Sequence, residues 1–202
     1  MKICVCVKQV PDSETKVRLA ADGGPDLGTV KWVVNPYDEM AVEEALKIRD
    51  RFPGSSVVVL ALGPERAVDA LRTALAMGAE DAFHVVGEKP TDSALVASLL
   101  AKAVEKIGGV DLVLGGKQAI DMDTHEVPTR LAVNLGFSVV NDVSKLEWEG
   151  TALKATRDLD GGGKESYRIQ GPAVVSVTKG INVPRYPSLP GIMKAKKKVS
   201  TR

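Results

Sequence analysis

Apolar runs that suit buried strands alternate with helical segments over the first 140 residues. The runs at 3–7, 56–63 and 111–116 carry apolar residues on both faces, which is typical of parallel strands covered by helices on both sides. Segments of ten or more residues with helical spacing separate these runs, as in 38–50. Strands and helices in this order form βαβ units. We therefore predict an α/β fold with a doubly wound, mainly parallel sheet.

Prolines, glycines and acidic residues indicate where the helices begin and end. Pro64 and Gly78 bound one helical segment in the asymmetric way that helices favour. Asp38 is placed to cap the first turn of the helix over 38–50. Pro128 is expected to interrupt a later helix, over 126–136, near its start.

The periodicity changes after residue 140. Short alternating segments over 143–170, joined by glycine-containing turns, predict antiparallel hairpins. GPAVVSVT, at 171–178, predicts one more buried strand. We expect one domain over 1–180 that includes the hairpin region, followed by an extended, proline-rich and then basic segment over 181–202.

Charge is distributed unevenly along the chain. The net charge is +1, yet the last nine residues hold five cations and no acid, which leaves 22 basic against 26 acidic residues elsewhere. Binding to a nucleic-acid backbone requires a broad basic face, which a body of net charge −4 does not offer. We therefore predict no nucleic-acid partner. The basic residues of this tail are Lys194, Lys196, Lys197, Lys198 and Arg202.

The residues that usually carry catalysis or bind metals are sparse. Cys4 and Cys6 are two apart on a predicted strand, so both face one side, and their spacing matches neither a redox nor a zinc motif. His84 and His125 are far apart and have no thiol beside them. No Ser, His and Asp set is evident. We expect no metal site, and no catalytic constellation is evident.

Targeting and membrane signals are absent from the sequence as well. No run approaches the ~20 apolar residues of a membrane helix, and the first residues enter a strand directly. We therefore predict a cytoplasmic protein that is not embedded in a membrane.

Three loops follow predicted strands at the edge where open α/β sheets bind ligands. They are VKQVP at 7–11, ALGPE at 61–65 and GGKQAIDMDT at 115–124. The last matches neither the Walker motif nor the dinucleotide fingerprint. Its glycines could bind a nucleotide or only allow a turn, and Asp121 and Asp123 could hold Mg²⁺ or only cap a helix.

A proline-rich stretch, RYPSLPGIMKAKKK, occupies 185–198. Pro187 and Pro190 favour extended backbone before them, so we expect Leu189 to lie on a loop. A leucine on a stiffened loop could insert into a partner's pocket or pack back on its own domain.

Six collinear segments together resemble the beta subunit of electron-transfer flavoproteins. They are VKQVPD, VNPYDEMAVEEALKI, RTALAMGAEDAFHV, DLVLGGKQAID, RDLDGG and NVPRYPSLPGIMKAKKK. The resemblance covers nearly the whole chain, and the last segment in combination with GKQAID is highly specific. It implies a sheet of the adenine-nucleotide-binding type in an electron carrier without substrate turnover of its own.

The resemblance implies a buried AMP and an FAD shared with an alpha subunit in a heterodimer. A second FAD in place of AMP is the alternative, because Asp123, Thr124 and Val127 match the bifurcating pattern, but AMP is favoured. Carried over by matching positions, the AMP contacts are Cys6, Asn35, Pro36, Tyr37, Asp38, Leu62, Gly116, Lys117, Gln118, Ala119, Ile120, Asp121, Met122, Asp123, Thr124, His125, Glu126 and Val127.

The same resemblance implies how the heterodimer meets its partners. Arg157 and Asp158 match a pair near the flavin edge at the subunit interface. The stretch around Leu189 matches a recognition loop that docks acyl-CoA or related dehydrogenases, from which electrons pass to a membrane quinone oxidoreductase. The implied docking residues are Tyr186, Leu189, Pro190, Ile192, Met193, Lys194 and Lys197. A stand-alone adenine-nucleotide enzyme or sensor is the alternative of another class.

Overall fold

The computed structural model describes residues 1–16, 18–28, 30–87, 92–149 and 152–198. Arg202, the last residue of the predicted basic tail, lies outside these ranges. The strands are β1 (Lys2–Cys6), β2 (Gln9–Pro11), β3 (Trp32–Val34), β4 (Ser56–Gly63), β5 (Asp81–Val86), β6 (Leu112–Gly116), β7 (Ser138–Glu149), β8 (Ala152–Asp158), β9 (Lys164–Ile169) and β10 (Ala173–Val177). The helices are α1 (Pro36–Arg51), α2 (Val68–Met77), α3 (Ser93–Ile107), α4 (Val127–Leu135) and α5 (Leu189–Lys197).

One sheet runs through the protein in the order β5-β4-β1-β6-β10-β7-β8-β9. The strands from β5 to β7 pair in parallel, whereas β8 and β9 pair antiparallel beyond β7. β2 and β3 form a separate two-stranded antiparallel sheet. The predicted α/β class, with a mainly parallel sheet and a hairpin region, is confirmed.

Helices cover both faces of the sheet. Ile3, Val5, Val57 and Val59 pack against α1 and α2 on one face. The alternate residues of the same strands, together with Val113, pack against α3 and α4 on the other face. Because side chains of a strand alternate between faces, the two cysteines of β1 share the second core, as predicted from their spacing.

β7 contains a β-bulge before the hairpin region begins. Its register with β10 shifts between Val140 and Val143, and Asp142 in this bulge has a left-handed φ of 57°. A bulge of this kind increases the local twist of a strand. Beyond it, Trp148 stacks edge-on against Phe52 at the end of α1, with ring centroids 4.9 Å apart. Beyond the bulge, the hairpin region thus covers the core on the α1 side.

Two predicted element boundaries are wrong. Leu189 does not lie on a loop but is the first residue of α5, where Ser188 caps the helix and Pro190 sits in its first turn. Pro128 does not interrupt α4 but stands in its first turn. Both corrections have one physical reason: the first helical turn needs no intrahelical N–H donor, so proline is tolerated there.

The chain after β10 follows the side of the domain that carries α1 and α2. Residues 181–188 form no helix or strand, and α5 then packs on α2 with Ala195 buried in the core. Across the described ranges, the structure contains no helix with an apolar run long enough to cross a bilayer.

Candidate functional site

The sheet reverses its winding direction at β1. The chain leaves β1 toward β4 and β5 on one side and later places β6 on the other side. In open α/β sheets a crevice forms at this point, outside the carboxyl ends of the strands. A cavity of about 140 Å³ lies here, beside Lys8 after β1 and Gly116 at the end of β6.

One wall of this switch-point crevice is apolar. It is built from the second face of the sheet and from the inward faces of α3 and α4, and its side chains are Leu60, Leu62, Val96, Leu100, Val113, Leu131 and Val174. Ser93 and Val96 belong to the first turns of α3, while Val127 and Pro128 open α4. The crevice therefore lies between two helix N-termini, whose N–H groups favour anions.

Asp38 joins the two strands that border the crevice. Its Oδ2 accepts a hydrogen bond from the backbone N–H of Lys8 (2.8 Å), and its Oδ1 accepts one from that of Gly116 (2.9 Å). The side chain is buried, and burial raises the pKa of Asp38 to about 7, although both N–H groups favour the ionised form. Asp38 does not cap α1, contrary to the prediction from the sequence.

Asn35 fastens the loop after β6 to the start of α1. Its Nδ2 donates to the carbonyl oxygen of Gln118 (2.8 Å), and its Oδ1 accepts from the backbone N–H of Ile120 (3.3 Å). Asn35 is buried and precedes the first residue of α1. Its amide therefore holds the loop in place on the rim of the crevice.

Gly116 is required by the close approach of α1. A Cβ on Gly116 would lie 2.5 Å from both Tyr37 Cβ and Asp38 Oδ1. The absence of a side chain thus allows the end of β6 to contact the first turn of α1. This contact is enough to explain a glycine at position 116, without a bound phosphate or a backbone turn. Tyr37 lies just outside the crevice, with the Lys117 ammonium 5.5 Å from its ring centroid.

The loop between β6 and α4 has an unusual backbone. Asp123 and His125 have φ values of 56° and 55°, and Glu126 returns to the right-handed region. Within the part of the chain that the structure describes, no group accepts a hydrogen bond from the backbone N–H of Thr124, His125 or Glu126. Alternation of left- and right-handed residues turns successive N–H groups toward one side, which creates a concave anion site.

Polar side chains complete the rim of the crevice. Lys8 Nζ pairs with Asp121 Oδ1 at 2.7 Å, which ties the end of β1 to the loop. The side-chain N–H of Gln118 donates to Asp123, whereas no N–H or O–H of the described residues donates to its buried Oε1. A buried amide oxygen without a donor is costly, so this atom favours a ligand that donates an N–H or O–H.

Most of the predicted nucleotide contacts line the crevice, and five of them do not. Those that line it are Cys6, Asn35, Asp38, Leu62, Gly116, Lys117, Gln118, Ala119, Met122, Thr124, His125, Glu126 and Val127. Those that do not are Pro36, Tyr37, Ile120, Asp121 and Asp123.

Sequence reasoning missed the contribution of α3 to the crevice. Ser93, Val96 and Leu100 follow one another at helical spacing on the face that α3 turns toward the sheet. This spacing was the signal that could have placed them at the site.

Neither Asp121 nor Asp123 caps α4, and no set of three or more His, Cys, Asp or Glu within the described ranges could hold a metal ion.

Arg157 and Asp158 lie apart from the crevice, at the end of β8. Arg157 approaches Glu165 (3.4 Å), and Asp158 pairs with Lys164 (2.5 Å), both across the pairing with β9. The hydrogen bond from Lys164 lowers the pKa of Asp158. Neither residue touches the crevice lining.

The predicted docking residues form an exposed apolar patch. Tyr186 is 94% exposed and Leu189 is 80% exposed, and Met193 lies beside them with 59% of its surface exposed. Pro190, Ile192, Lys194 and Lys197 are exposed as well. Leu189 therefore does not pack back on its own domain. We call residues 186–193 the exposed segment.

Together these features define a doubly wound α/β protein with a crevice at its topological switch point and a separate exposed apolar segment. Comparison with known proteins gives the family. The model of the electron transfer flavoprotein domain matches residues 28–202. The chain belongs to the electron-transfer flavoprotein family and, within it, to the beta subunits.

Three relatives, each named electron transfer flavoprotein subunit beta, illustrate this similarity. The protein of Bradyrhizobium diazoefficiens is 45% identical over 199 residues, which covers 98% of this chain and 79% of the relative. The protein of Syntrophomonas wolfei is 40% identical over 198 residues, with 98% and 77% covered. The human protein is 41% identical over 205 residues, with 98% and 79% covered.

Proposed function

We propose that this chain, as the beta subunit of a heterodimeric electron-transfer flavoprotein, binds AMP in the switch-point crevice. The observation that carries the proposal is the crevice itself, which combines an apolar wall with a rim of backbone N–H donors. An adenine ring needs a flat apolar slot, and a phosphate needs converging donors. The crevice offers both at the edge of the sheet where such ligands bind.

The residues present fit this ligand. The adenine packs against Leu62, Val96 and Leu100, whose side chains belong to the apolar wall. The phosphate accepts hydrogen bonds from the N–H groups of Thr124 and His125, which no described group of the chain uses. Gln118 Oε1 accepts a hydrogen bond from a ribose hydroxyl or from the adenine amino group.

Filling the apolar wall tests the nucleotide site. Val96→Trp places an indole in the crevice, whereas Leu95→Trp adds the same group at the neighbouring exposed position of α3. We expect AMP, released from the purified heterodimer and identified by mass, to disappear in Val96→Trp and to persist in Leu95→Trp. Flavin content should stay the same in both. Equal AMP in both variants contradicts the site.

The same measurement separates the alternatives. A second FAD per heterodimer, lost on Val96→Trp, would assign the crevice to a flavin as in bifurcating members. A colourless protein that hydrolyses ATP without an alpha subunit would assign the chain to stand-alone nucleotide enzymes or sensors.

We also propose that the chain completes an FAD site carried by the alpha subunit. The flavin supplies the redox chemistry when it is bound, and this chain carries electrons without turning over a substrate. Arg157 and Asp158 stand at the end of β8, on the strand that borders the exposed edge strand β9. There they could face the flavin across the subunit interface. Arg157→Ala should lower flavin retention on dilution while AMP content is unchanged.

The exposed segment is proposed to dock dehydrogenases of acyl-CoA or related substrates in the cytoplasm. From there, electrons would pass to a membrane quinone oxidoreductase. Leu189 projects from the first turn of α5 and has little contact with its own domain. Burying a leucine in a partner's pocket contributes about 2 kcal/mol, and the lysines of α5 steer the approach to an acidic surface.

Truncation of this leucine tests the docking. Leu189→Ala should raise the KM of an acyl-CoA dehydrogenase for the heterodimer by roughly thirtyfold, since about 1.4 kcal/mol corresponds to a factor of ten. Leu19→Ala removes another exposed leucine outside the segment and serves as the control. Equal KM values for Leu189→Ala, Leu19→Ala and the wild type would remove Leu189 from the docking surface.

A further inference from the structure

The exposed segment is held at one end by an ion pair with α1. Arg185 Nε donates to Glu43 Oε2 (2.7 Å), and Arg185 Nη2 donates to Glu43 Oε1 (3.1 Å). The backbone N–H of Arg185 donates to Glu43 Oε2 as well (3.1 Å). A two-pronged contact of this kind fixes direction as well as distance, because the planar guanidinium matches the carboxylate.

Neighbouring contacts strengthen this attachment. Arg185 Nη2 also donates to Asp50 Oδ2 (3.2 Å), and Asn182 donates to Met40 O (3.0 Å) and to Glu44 Oε2 (2.9 Å). All of these acceptors belong to α1. Residues 182–185 are thus hydrogen-bonded to α1 immediately before the exposed segment begins.

The other end of the segment is held by α2. A Cβ on Gly191 would lie 2.4 Å from the carbonyl oxygen of Ala76, so α5 meets the backbone of α2 without a side chain between them. Ser188 Oγ accepts from the N–H of Gly191 (3.1 Å), which closes the first turn of α5. Tyr186 and Leu189 project between these two attachments.

The two partners of the ion pair differ in exposure. Glu43 is buried, with 9% of its side chain exposed, whereas Arg185 has 38% of its side chain exposed. A docked protein could touch Arg185 but could not reach Glu43. Any effect of Glu43 on docking must therefore act through the position of the segment.

We infer that Arg185 and Glu43 are positioning residues that fix the exposed segment in the geometry in which a dehydrogenase binds it. This inference rests on the proposed docking function. A rigid segment loses less conformational entropy on docking than a mobile one, so the ion pair increases affinity without contacting the partner. Electron transfer within an assembled complex does not depend on it.

The test compares Arg185→Gln, Glu43→Gln and the double variant in the purified heterodimer. Each single change should raise the KM of an acyl-CoA dehydrogenase for the heterodimer by about tenfold, as expected for loss of a charge-assisted contact. The double variant should match the single ones, because both remove the same ion pair. We expect kcat and flavin content to stay the same. Lys154→Gln, which removes the ion pair with Glu149 on the remote hairpin, is the control.

Hydrogen exchange in the free heterodimer supplies a readout that needs no dehydrogenase. The hydrogen-bonded amides at 185 and 191–193 should exchange about tenfold faster in both single variants, and amides of β1 and β6 should be unchanged. An increase in KM for Arg185→Gln alone would overturn the inference, since it would indicate direct contact with the partner. Unchanged exchange in both variants would overturn it as well.

Failure of the docking function can be distinguished from failure of this inference. If Leu189→Ala leaves KM unchanged, the docking proposal fails, and the exchange rates still decide whether the ion pair orders the segment. If Leu189→Ala raises KM but Glu43→Gln does not, only the positioning role fails.

Discussion

Replacement of Asp38 tests how the two strand ends at the crevice are held together. Each carboxylate oxygen accepts one buried backbone N–H, from Lys8 and from Gly116. Asp38→Ala leaves both donors without an acceptor, at a cost of about 1–3 kcal/mol each. Asp38→Asn keeps the volume of the side chain but retains a single acceptor oxygen, so it should lose about half as much.

The pH dependence of this loss follows from the pKa of Asp38. Burial raises that pKa from 3.8 to about 7, so between these values the folded protein keeps a proton that the unfolded chain has released. The stabilisation from this proton is complete below the unfolded pKa and is lost as the pH rises through the folded one. Each pH unit in this window lowers the free energy of unfolding by about 1.4 kcal/mol.

Urea unfolding at pH 5, 6, 7 and 8 measures the effect. The wild type should exceed Asp38→Asn in stability at pH 5, and the difference should shrink by about 2 kcal/mol by pH 7 and level off toward pH 8, above the folded pKa. Other titrating groups are common to both proteins and cancel in the difference. A difference that stays constant from pH 5 to pH 8 refutes the reasoning, because Asp38 would then titrate alike in the folded and unfolded states.

Three further outcomes are expected. Gly116→Ala should abolish AMP retention and lower the unfolding midpoint in urea, because the new Cβ would lie 2.5 Å from Tyr37 Cβ. A variant that retains a normal amount of AMP would contradict this expectation. Gly191→Ala should speed hydrogen exchange across α5, since its Cβ would lie 2.4 Å from Ala76 O, and unchanged protection would refute the close packing. Cys6 should react slowly with a thiol reagent at pH 8 in the native protein and rapidly in urea, because a hydrogen bond with Cys4 and burial raise the pKa of its thiol. Fast labelling of the native protein would show that this pKa is not raised.

The order of strands and helices could be predicted because its signals are local. Apolar runs, helical spacing and terminal glycines such as Gly78 and Gly136 each depend on a few neighbouring residues. The start of α5 could have been predicted as well. Ser188 is a favourable N-cap, and Pro190 is suited to the first turn that follows it. The sequence prediction placed Leu189 on a loop because it considered only that proline breaks helices, and not that proline is favourable in the first turn.

The roles of individual site residues depend on contacts that sequence proximity does not reveal. Asp38 is separated from Lys8 by 30 positions and from Gly116 by 78, so an aspartate at a helix start was assigned to capping. Glu43 meets Arg185 across 142 positions. Asp tolerates a left-handed backbone, but the position of the bulge at Asp142 depends on the pairing of β7 with β10 and β8, which local sequence does not reveal.

The crevice and the exposed segment use opposite faces of the sheet. Leu60 and Val113 border the crevice from one face, while α5 leans on α2 over the other, where Ala195 is buried. The sheet therefore separates the crevice from the exposed segment. Substitutions in the exposed segment, over evolution or by design, can therefore change that surface without touching the lining of the crevice on the other side of the sheet.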